Sequence, residues 1–171
     1  MCIRDRIPIV HDNSTMLADG SYSNTQKVAK ADVYEYIIMT LEKAMELLPK
    51  SSSPGRIDYY SAEALLAKVY LTKSGLSANG NGARNAEDLE KAAMYAKDVI
   101  TNSGRKLMTN YSDVFRLQNA LNSEALFSWF WTADTSVWTV QNTLQSDLGI
   151  QGFDEFGDCW GGYNGPSVDL Q

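Results

Sequence analysis

One stretch of this chain, residues 55–75 (GRIDYYSAEALLAKVYLTKSG), constrains the fold more than any other. Its apolar residues recur at the three- and four-residue spacing of a single buried helix face, and its alanines let a neighbouring backbone approach closely. Asp58 and Ser61 are both candidate N-caps, and Gly75 is a candidate C-cap. The predicted buried face consists of Ala62, Leu65, Leu66, Val69 and Tyr70. The stretch is therefore expected to form a scaffold helix that carries no chemistry of its own.

A helix is predicted on the N-terminal side of this stretch, over residues 31–48. Pro49 ends it, and the Ser-rich linker with the turn pair Pro54-Gly55 makes the central helix fold back antiparallel on it. Residues 7–30 are predicted to be a short extended segment followed by a loop. The expected buried face of the helix consists of Val33, Ile37, Leu41, Ala44, Met45 and Leu48.

Another helix is predicted on the C-terminal side, over residues 86–102, with Asn85 as its N-cap and Gly104 as its terminator. The segment ALLAKVYL at 64–71 aligns with AMYAKDVI at 93–100 at an offset of 29 residues. Alanine-rich antiparallel helices with such a period indicate tetratricopeptide-like packing. The expected buried face consists of Leu89, Ala92, Ala93, Ala96, Val99 and Ile100.

Composition excludes several classes of function. The net charge of −6 and the lack of a Lys/Arg cluster argue against a nucleic-acid partner. The single histidine, His11, removes most His-based catalytic and zinc arrangements, and the two cysteines are too far apart for a metal-ligand pair. No dinucleotide fingerprint is present, because the GxG at Gly80 and Gly82 follows no predicted strand. We therefore expect neither a cofactor nor a bound metal.

The character of the sequence changes after Gly104. Residues 106–110 are predicted to be extended, 111–117 to form a helical turn, and 124–131 (EALFSWFW) to form a strand or buried extended segment. Residues 132–171 are rich in Gly, Asn, Asp, Ser and aromatic residues and show little periodicity. Such a segment is either functional surface or part of a larger missing half.

The ordered pattern of these segments resembles the SusD/RagB-like family. It comprises DVYEYIIMTLEKAMELLP, SAEALLAKVYL, EKAAMYAKDVITNSGRKL, NYSDVF and NSEALFSWFW, within residues 7–131. The resemblance implies a mostly α fold of tetratricopeptide-like antiparallel helix pairs, a helical frame at 7–131, followed by a largely irregular, aromatic-rich segment at 132–171. The leader MCIRDR and the abrupt end at Gln171 suggest an internal fragment of such a domain, which would continue into a missing C-terminal part.

The resemblance also implies a function. SusD/RagB-like proteins are non-catalytic, glycan-binding lipoproteins on the outer face of the Gram-negative outer membrane. They deliver oligosaccharide or polysaccharide to a SusC-like TonB-dependent transporter. By this resemblance we expect a binder with no enzymatic activity, anchored through an N-terminal lipid that this chain lacks.

Candidate glycan-binding residues lie in the aromatic tail, because pyranose C–H groups stack on flat rings while polar side chains bind the hydroxyls. The candidate stacking residues are Trp138, Trp160 and Tyr163, and the candidate hydrogen-bonding residues are Asn142, Gln145, Asp158 and Asn164. The alternative is that these rings only pack loops against the helices.

Two other functions stay open from the sequence. A tetratricopeptide-type scaffold would bind a peptide in its concave groove. A helical glycosidase would use the acidic cluster Asp154, Glu155 and Asp158. The spacing of these residues matches no established carboxylate pair or calcium loop, and a solvated acidic loop is the default interpretation.

Overall fold

The structure, a computed structural model, describes residues 6–53, 55–76 and 83–128. These residues are mostly helical, as predicted. The elements are β1 (Arg6–Ile7), α1 (Asn13–Asp19), β2 (Val28–Ala29), α2 (Lys30–Leu47), α3 (Tyr59–Lys73) and α4 (Ala86–Asn102), with short 3-10 helices at Ser21–Asn24, Tyr111–Phe115 and Leu117–Asn119. None of the described helices is both long enough and apolar enough to cross a bilayer.

The central position of α3 is confirmed, since it packs against both α2 and α4. Leu66 on α3 is completely buried and forms a core cluster with Ile38 of α2 and with Tyr70 and Ala92. The ring of Tyr70 stacks on that of Tyr95 from α4, with centroids 5.8 Å apart and planes 17° apart. The helix that the sequence identified as a scaffold therefore joins its two neighbours.

The caps of α3 and α4 follow local sequence signals. Asp58 is the N-cap of α3, and Ser61 completes a capping box in which the Asp58 carboxylate accepts from the Ser61 amide at 2.9 Å. Asn85 caps α4 in the same way, accepting from the Asp88 amide at 2.9 Å. Gly104, with φ of 72°, provides the left-handed residue after α4. The open choice between Asp58 and Ser61 is thus resolved, because both take part in one cap.

The predicted end of α3 at Gly75 is wrong. The helix ends at Lys73 and its C-cap is Ser74, in right-handed helical geometry. Ser74 is completely buried, and its hydroxyl donates to the Leu71 carbonyl at 2.6 Å. This side-chain bond replaces the left-handed glycine cap that the sequence suggested.

The predicted helix faces are correct in period but partly wrong in rotation. Leu65 is 51% exposed and Ile100 is 78% exposed, whereas Glu63 is only 2% exposed. On α2 the buried isoleucine is Ile38 rather than Ile37. Because α3 is packed by two helices, its buried arc is set by both partners, and successive residues such as 65 and 66 lie about 100° apart on a helix and cannot both be central.

The predicted loop in residues 7–30 contains structure. β1 pairs antiparallel with β2, with Arg6 opposite Ala29. Helix α1 begins after Asp12, whose carboxylate accepts from the Ser14 amide at 2.8 Å, and ends at Gly20, with φ of 75°. No residue of α1 is buried, so no apolar periodicity marked this helix in the sequence.

The segment after α4 agrees with prediction in part. The helical turn is present as the 3-10 helix Tyr111–Phe115. Residues 124–128 form no strand, although the Lys106 amide donates to the Ser123 carbonyl at 3.1 Å. The remainder of the predicted strand, residues 129–131, lies outside the described residues. The division into a helical frame at 7–131 and an irregular segment at 132–171 therefore stays a prediction.

Candidate functional site

The residues predicted to bind sugar lie outside the described part of the chain. They are Trp138, Asn142, Asp158, Trp160 and Tyr163, with Gln145 and Asn164 as further hydrogen-bonding candidates. The acidic cluster Asp154, Glu155 and Asp158 lies outside it as well. These assignments stay predictions, and the described residues are relevant to function through the surfaces and charges that follow.

An exposed aromatic pair lies on the 3-10 helix after α4. The side chains of Tyr111 and Phe115 are 78% and 71% exposed, with ring centroids 5.2 Å apart in an edge-to-face arrangement. Asp113 lies between them in the sequence, accepts a hydrogen bond from Asn110 and forms an ion pair with Arg116. Exposed rings beside amide and charged groups have the chemistry that sugars require. Sequence reasoning had treated this segment only as a turn.

A cavity of about 390 Å³ lies between the C-terminal end of α4 and residues 105–126. Its lining is mainly aliphatic and includes Val99, Ile100, Leu107 and Leu126. None of the described residues that line the cavity is aromatic.

A buried ion pair fixes the N-terminal end of α3. Arg105 Nη2 donates to Asp58 Oδ2 at 2.7 Å, and Arg105 Nε donates to the Ala125 carbonyl at 3.0 Å. Burial pushes the pKa of Asp58 up, but the hydrogen bonds from Arg105 and Ser61 outweigh it, and the pKa is lowered overall.

A buried carboxyl lies at the contact between α3 and α4. Burial, followed by the charge and hydrogen bond of Asp98, raises the pKa of Glu63 to about 7, and the charge of Lys50 opposes this rise. Glu63 Oε2 is buried and has no hydrogen-bond partner within residues 6–53, 55–76 and 83–128. The sequence offered one signal of this burial, since Glu63 lies three residues after Tyr60 and three before Leu66, within the apolar stripe of α3.

Metal binding receives no support from the residues that can be described. Within 6–53, 55–76 and 83–128, no group of three or more His, Cys, Asp or Glu side chains is arranged to hold an ion.

The packing of α2, α3 and α4 defines a tetratricopeptide-like helical protein, and comparison with known proteins gives the family. No family model matches the chain. A SusD-like protein of Bacteroides ovatus is 43% identical over 140 residues, which are 81% of this chain and 25% of that protein. Over these residues the chain belongs to the SusD-like family, and the resemblance noted in the sequence is confirmed.

Two solved crystal structures are similar to the chain. One has a TM-score of 0.79 and 36% sequence identity, and the match covers 92% of this chain and 30% of that one. The other, solved with a xylogluco-oligosaccharide, has a TM-score of 0.75 and 39% identity, and the match covers 85% of this chain and 28% of that one. The chain thus spans roughly a quarter to a third of the length of these relatives.

Proposed function

We propose that this protein binds oligosaccharide at the outer surface of a Gram-negative cell and does not cleave it. The observation that carries the proposal is the similar structure solved with a xylogluco-oligosaccharide, at 39% identity over 85% of the chain. A xylogluco-oligosaccharide is therefore the first ligand to test.

The stacking groups in this proposal are Trp138, Trp160 and Tyr163, with Asn142 and Asp158 as partners of the sugar hydroxyls. Rings in a segment rich in Gly, Asn and Ser can present flat faces to a pyranose, because loops tolerate the exposed geometry that stacking needs. Asn can both donate and accept, and Asp accepts, so the pair is suited to the mixed donor and acceptor character of sugar hydroxyls.

Delivery to a SusC-like TonB-dependent transporter, and attachment through an N-terminal lipid to the outer membrane, form the second part of the proposal. Their support is membership in the SusD-like family. In this arrangement the protein raises the local concentration of oligosaccharide at the transporter mouth, and release of an intact ligand is the useful outcome. This explains why binding, with no bond cleavage, would be the selected activity.

Affinity electrophoresis of the complete protein that carries this chain tests the site. Gels containing xyloglucan, mannan or starch should retard the protein in at least one case. A stacking ring contributes on the order of 1 kcal/mol, so Trp138→Ala combined with Trp160→Ala should weaken binding by about tenfold or more. Tyr22→Ala is a matched control, because Tyr22 is an exposed ring, 61% accessible, outside the proposed site. Equal retardation of the double variant and the wild type would eliminate the proposed stacking residues.

The second candidate is a tetratricopeptide-type peptide-binding scaffold. The observation in its favour is the set of exposed apolar side chains on α3 and α4, where Leu65, Leu71 and Met94 are 51%, 48% and 56% exposed. A peptide library should then yield ligands whose binding is lost in Leu65→Asp and Met94→Asp, with glycan binding absent. Retained glycan binding by these two variants, without any peptide ligand, would support the first proposal over the second.

A further inference from the structure

Glu63 on α3 and Asp98 on α4, here called the carboxyl pair, lie where the two helices pack against each other. Glu63 lies on α3 and is 2% exposed. Lys73 of α3 contacts Asp88 of α4 at 2.7 Å, and the antiparallel register of the two helices therefore brings Asp98 opposite Glu63, where its charge and hydrogen bonding raise the pKa of the Glu63 carboxyl. Glu63 Oε2 is shielded from solvent, and no donor among the described residues reaches it. The pair therefore places an unsatisfied acceptor beside a second acceptor in a buried interface.

The charges around the carboxyl pair do not neutralise it. Lys50, in the connection between α2 and α3, is the cation that acts on Glu63. The other described titratable groups that interact with the pair are phenols, Tyr59 on α3 and Tyr95 on α4. Burial raises the pKa of both Tyr59 and Tyr95, so these phenols stay neutral near physiological pH. Lys50 is thus the one described cation that opposes the rise in the pKa of Glu63.

Hydrogen-bond chemistry decides how two such groups can be adjacent. Two ionised carboxylates are acceptors only, cannot bond to each other and repel. If one carboxyl keeps its proton, its O–H donates to the other carboxylate, and the buried Glu63 oxygen gains the partner that it lacks. The same reasoning applies to other carboxylate pairs that share a site and ionise in two separated steps.

We propose that Glu63 and Asp98 share one proton while α3 and α4 are packed together, and that release of this proton to solvent loosens the contact between the two helices. The carboxyl pair is then a proton-dependent lock within the helical frame. Its existence does not depend on the glycan-binding proposal, because both residues lie in the frame and outside the proposed sugar site.

The lock has a defined pH direction. The folded-state pKa of Glu63, about 7, lies above its ordinary value of 4.5. The stability that Glu63 contributes is therefore fully present at pH values below its ordinary pKa. This contribution declines as the pH rises above the ordinary pKa and is lost once the pH passes the folded-state pKa. The protein should be less stable at mildly alkaline pH than at mildly acidic pH, contrary to the behaviour that salt-bridged carboxylates produce.

Thermal unfolding followed by circular dichroism tests the lock across the range from about pH 5 to about pH 8. In the wild type, Tm should fall as pH rises. In Glu63→Gln the amide donates permanently to Asp98, so the fall in Tm should largely disappear. Glu90→Gln is the matched control, because Glu90 is exposed on α4 and the variant should keep the wild-type slope. A wild-type Tm that does not fall, or an identical slope in Glu63→Gln, would overturn the proposal.

A second measurement covers the case in which Glu63→Gln folds poorly. Carbon-13 NMR of the side-chain carboxyls of the wild-type protein should show the Glu63 resonance titrating near neutral pH. Asp98→Asn should move this Glu63 titration toward the ordinary acidic range, because the new amide donates to the Glu63 carboxylate. A Glu63 titration that lies in the ordinary acidic range in the wild type, or that does not change in Asp98→Asn, would refute a shared proton.

Discussion

Replacing Arg105 with glutamine should destabilise the protein far more than its position in the irregular segment after α4 suggests. In the folded state Arg105 Nη2 donates to Asp58 Oδ2 at 2.7 Å, and the two side chains are only 23% and 7% exposed. The substitution leaves the Asp58 carboxylate buried without its counter-charge and removes the bond from Nε to the Ala125 carbonyl. It therefore affects both the cap of α3 and the segment that leads toward residue 128.

The size of the effect follows from burial. Removing one partner of a fully buried ion pair costs about 3–5 kcal/mol, since the remaining charge is uncompensated. Here Asp58 keeps its bonds from the Ser61 amide and hydroxyl, at 2.9 Å and 2.8 Å, and Arg105 is partly solvated. We therefore expect Arg105→Gln to lower the free energy of unfolding by about 2–3 kcal/mol.

Urea denaturation at neutral pH measures this difference. Arg116→Gln is the matched control, because Arg116 pairs with Asp113 at 3.0 Å but the two side chains are 57% and 28% exposed. An ion pair so exposed contributes no more than about 0.5 kcal/mol. If the two variants differ from each other by less than about 1 kcal/mol, burial does not control these pairs and the reasoning is refuted.

The pH dependence of Arg105→Gln supplies a check of mechanism. The pKa of Asp58 is lowered in the folded state from its ordinary value of 3.8. The stabilisation from the Arg105–Asp58 pair is therefore present at pH values above 3.8 and is lost as the pH falls through the folded-state pKa of Asp58. The stability gap between wild type and variant should therefore narrow in strong acid. A gap that stays constant down to about pH 2 would assign the loss to packing instead of charge.

The remaining predictions concern the core and the turns. Leu66→Ala should lower the free energy of unfolding by about 3 kcal/mol because Leu66 is completely buried. Leu65→Ala should lower it by less than about 1 kcal/mol because Leu65 is 51% exposed. Urea denaturation measures both values, and equal values would contradict the observed rotation of α3. Gly104→Ala should lower the free energy of unfolding by about 1 kcal/mol, because φ at Gly104 is 72° and no atom lies within 4 Å of the added carbon. Gly75→Ala should leave the free energy of unfolding nearly unchanged, because its added carbon meets only ordinary van der Waals contacts. An unchanged stability in Gly104→Ala would contradict the left-handed cap.

Local signals were sufficient for much of the fold. The bounds of α4 were predicted to the residue because Asn85 and Gly104 supply their own capping chemistry to adjacent backbone groups. The rotation of each helix was not predictable in the same way. Which of Leu65 and Leu66 is buried depends on where α2 and α4 lie, and helical periodicity alone carries no information about partner position.

Charged groups in the interior were missed for a related reason. Arg105 and Asp58 are 47 residues apart, and Glu63 and Asp98 meet only when α3 packs on α4. Such pairs arise from tertiary packing, so no short sequence motif predicts them. Helix α1 was missed because it buries nothing and depends on the Asp12 cap. The proposed sugar-binding residues Trp138, Asn142, Asp158, Trp160 and Tyr163 stay predictions from composition and family resemblance.

Binding without cleavage is the central claim, and one titration tests it most directly. Xylogluco-oligosaccharide is added to the complete protein that carries this chain in a calorimeter, and the sugar is then recovered and weighed by mass spectrometry. The account predicts saturable heat release and an oligosaccharide of unchanged mass. Shortened oligosaccharide in the recovered sample, or no heat with any glycan of a broad panel while circular dichroism shows intact helices, would contradict it.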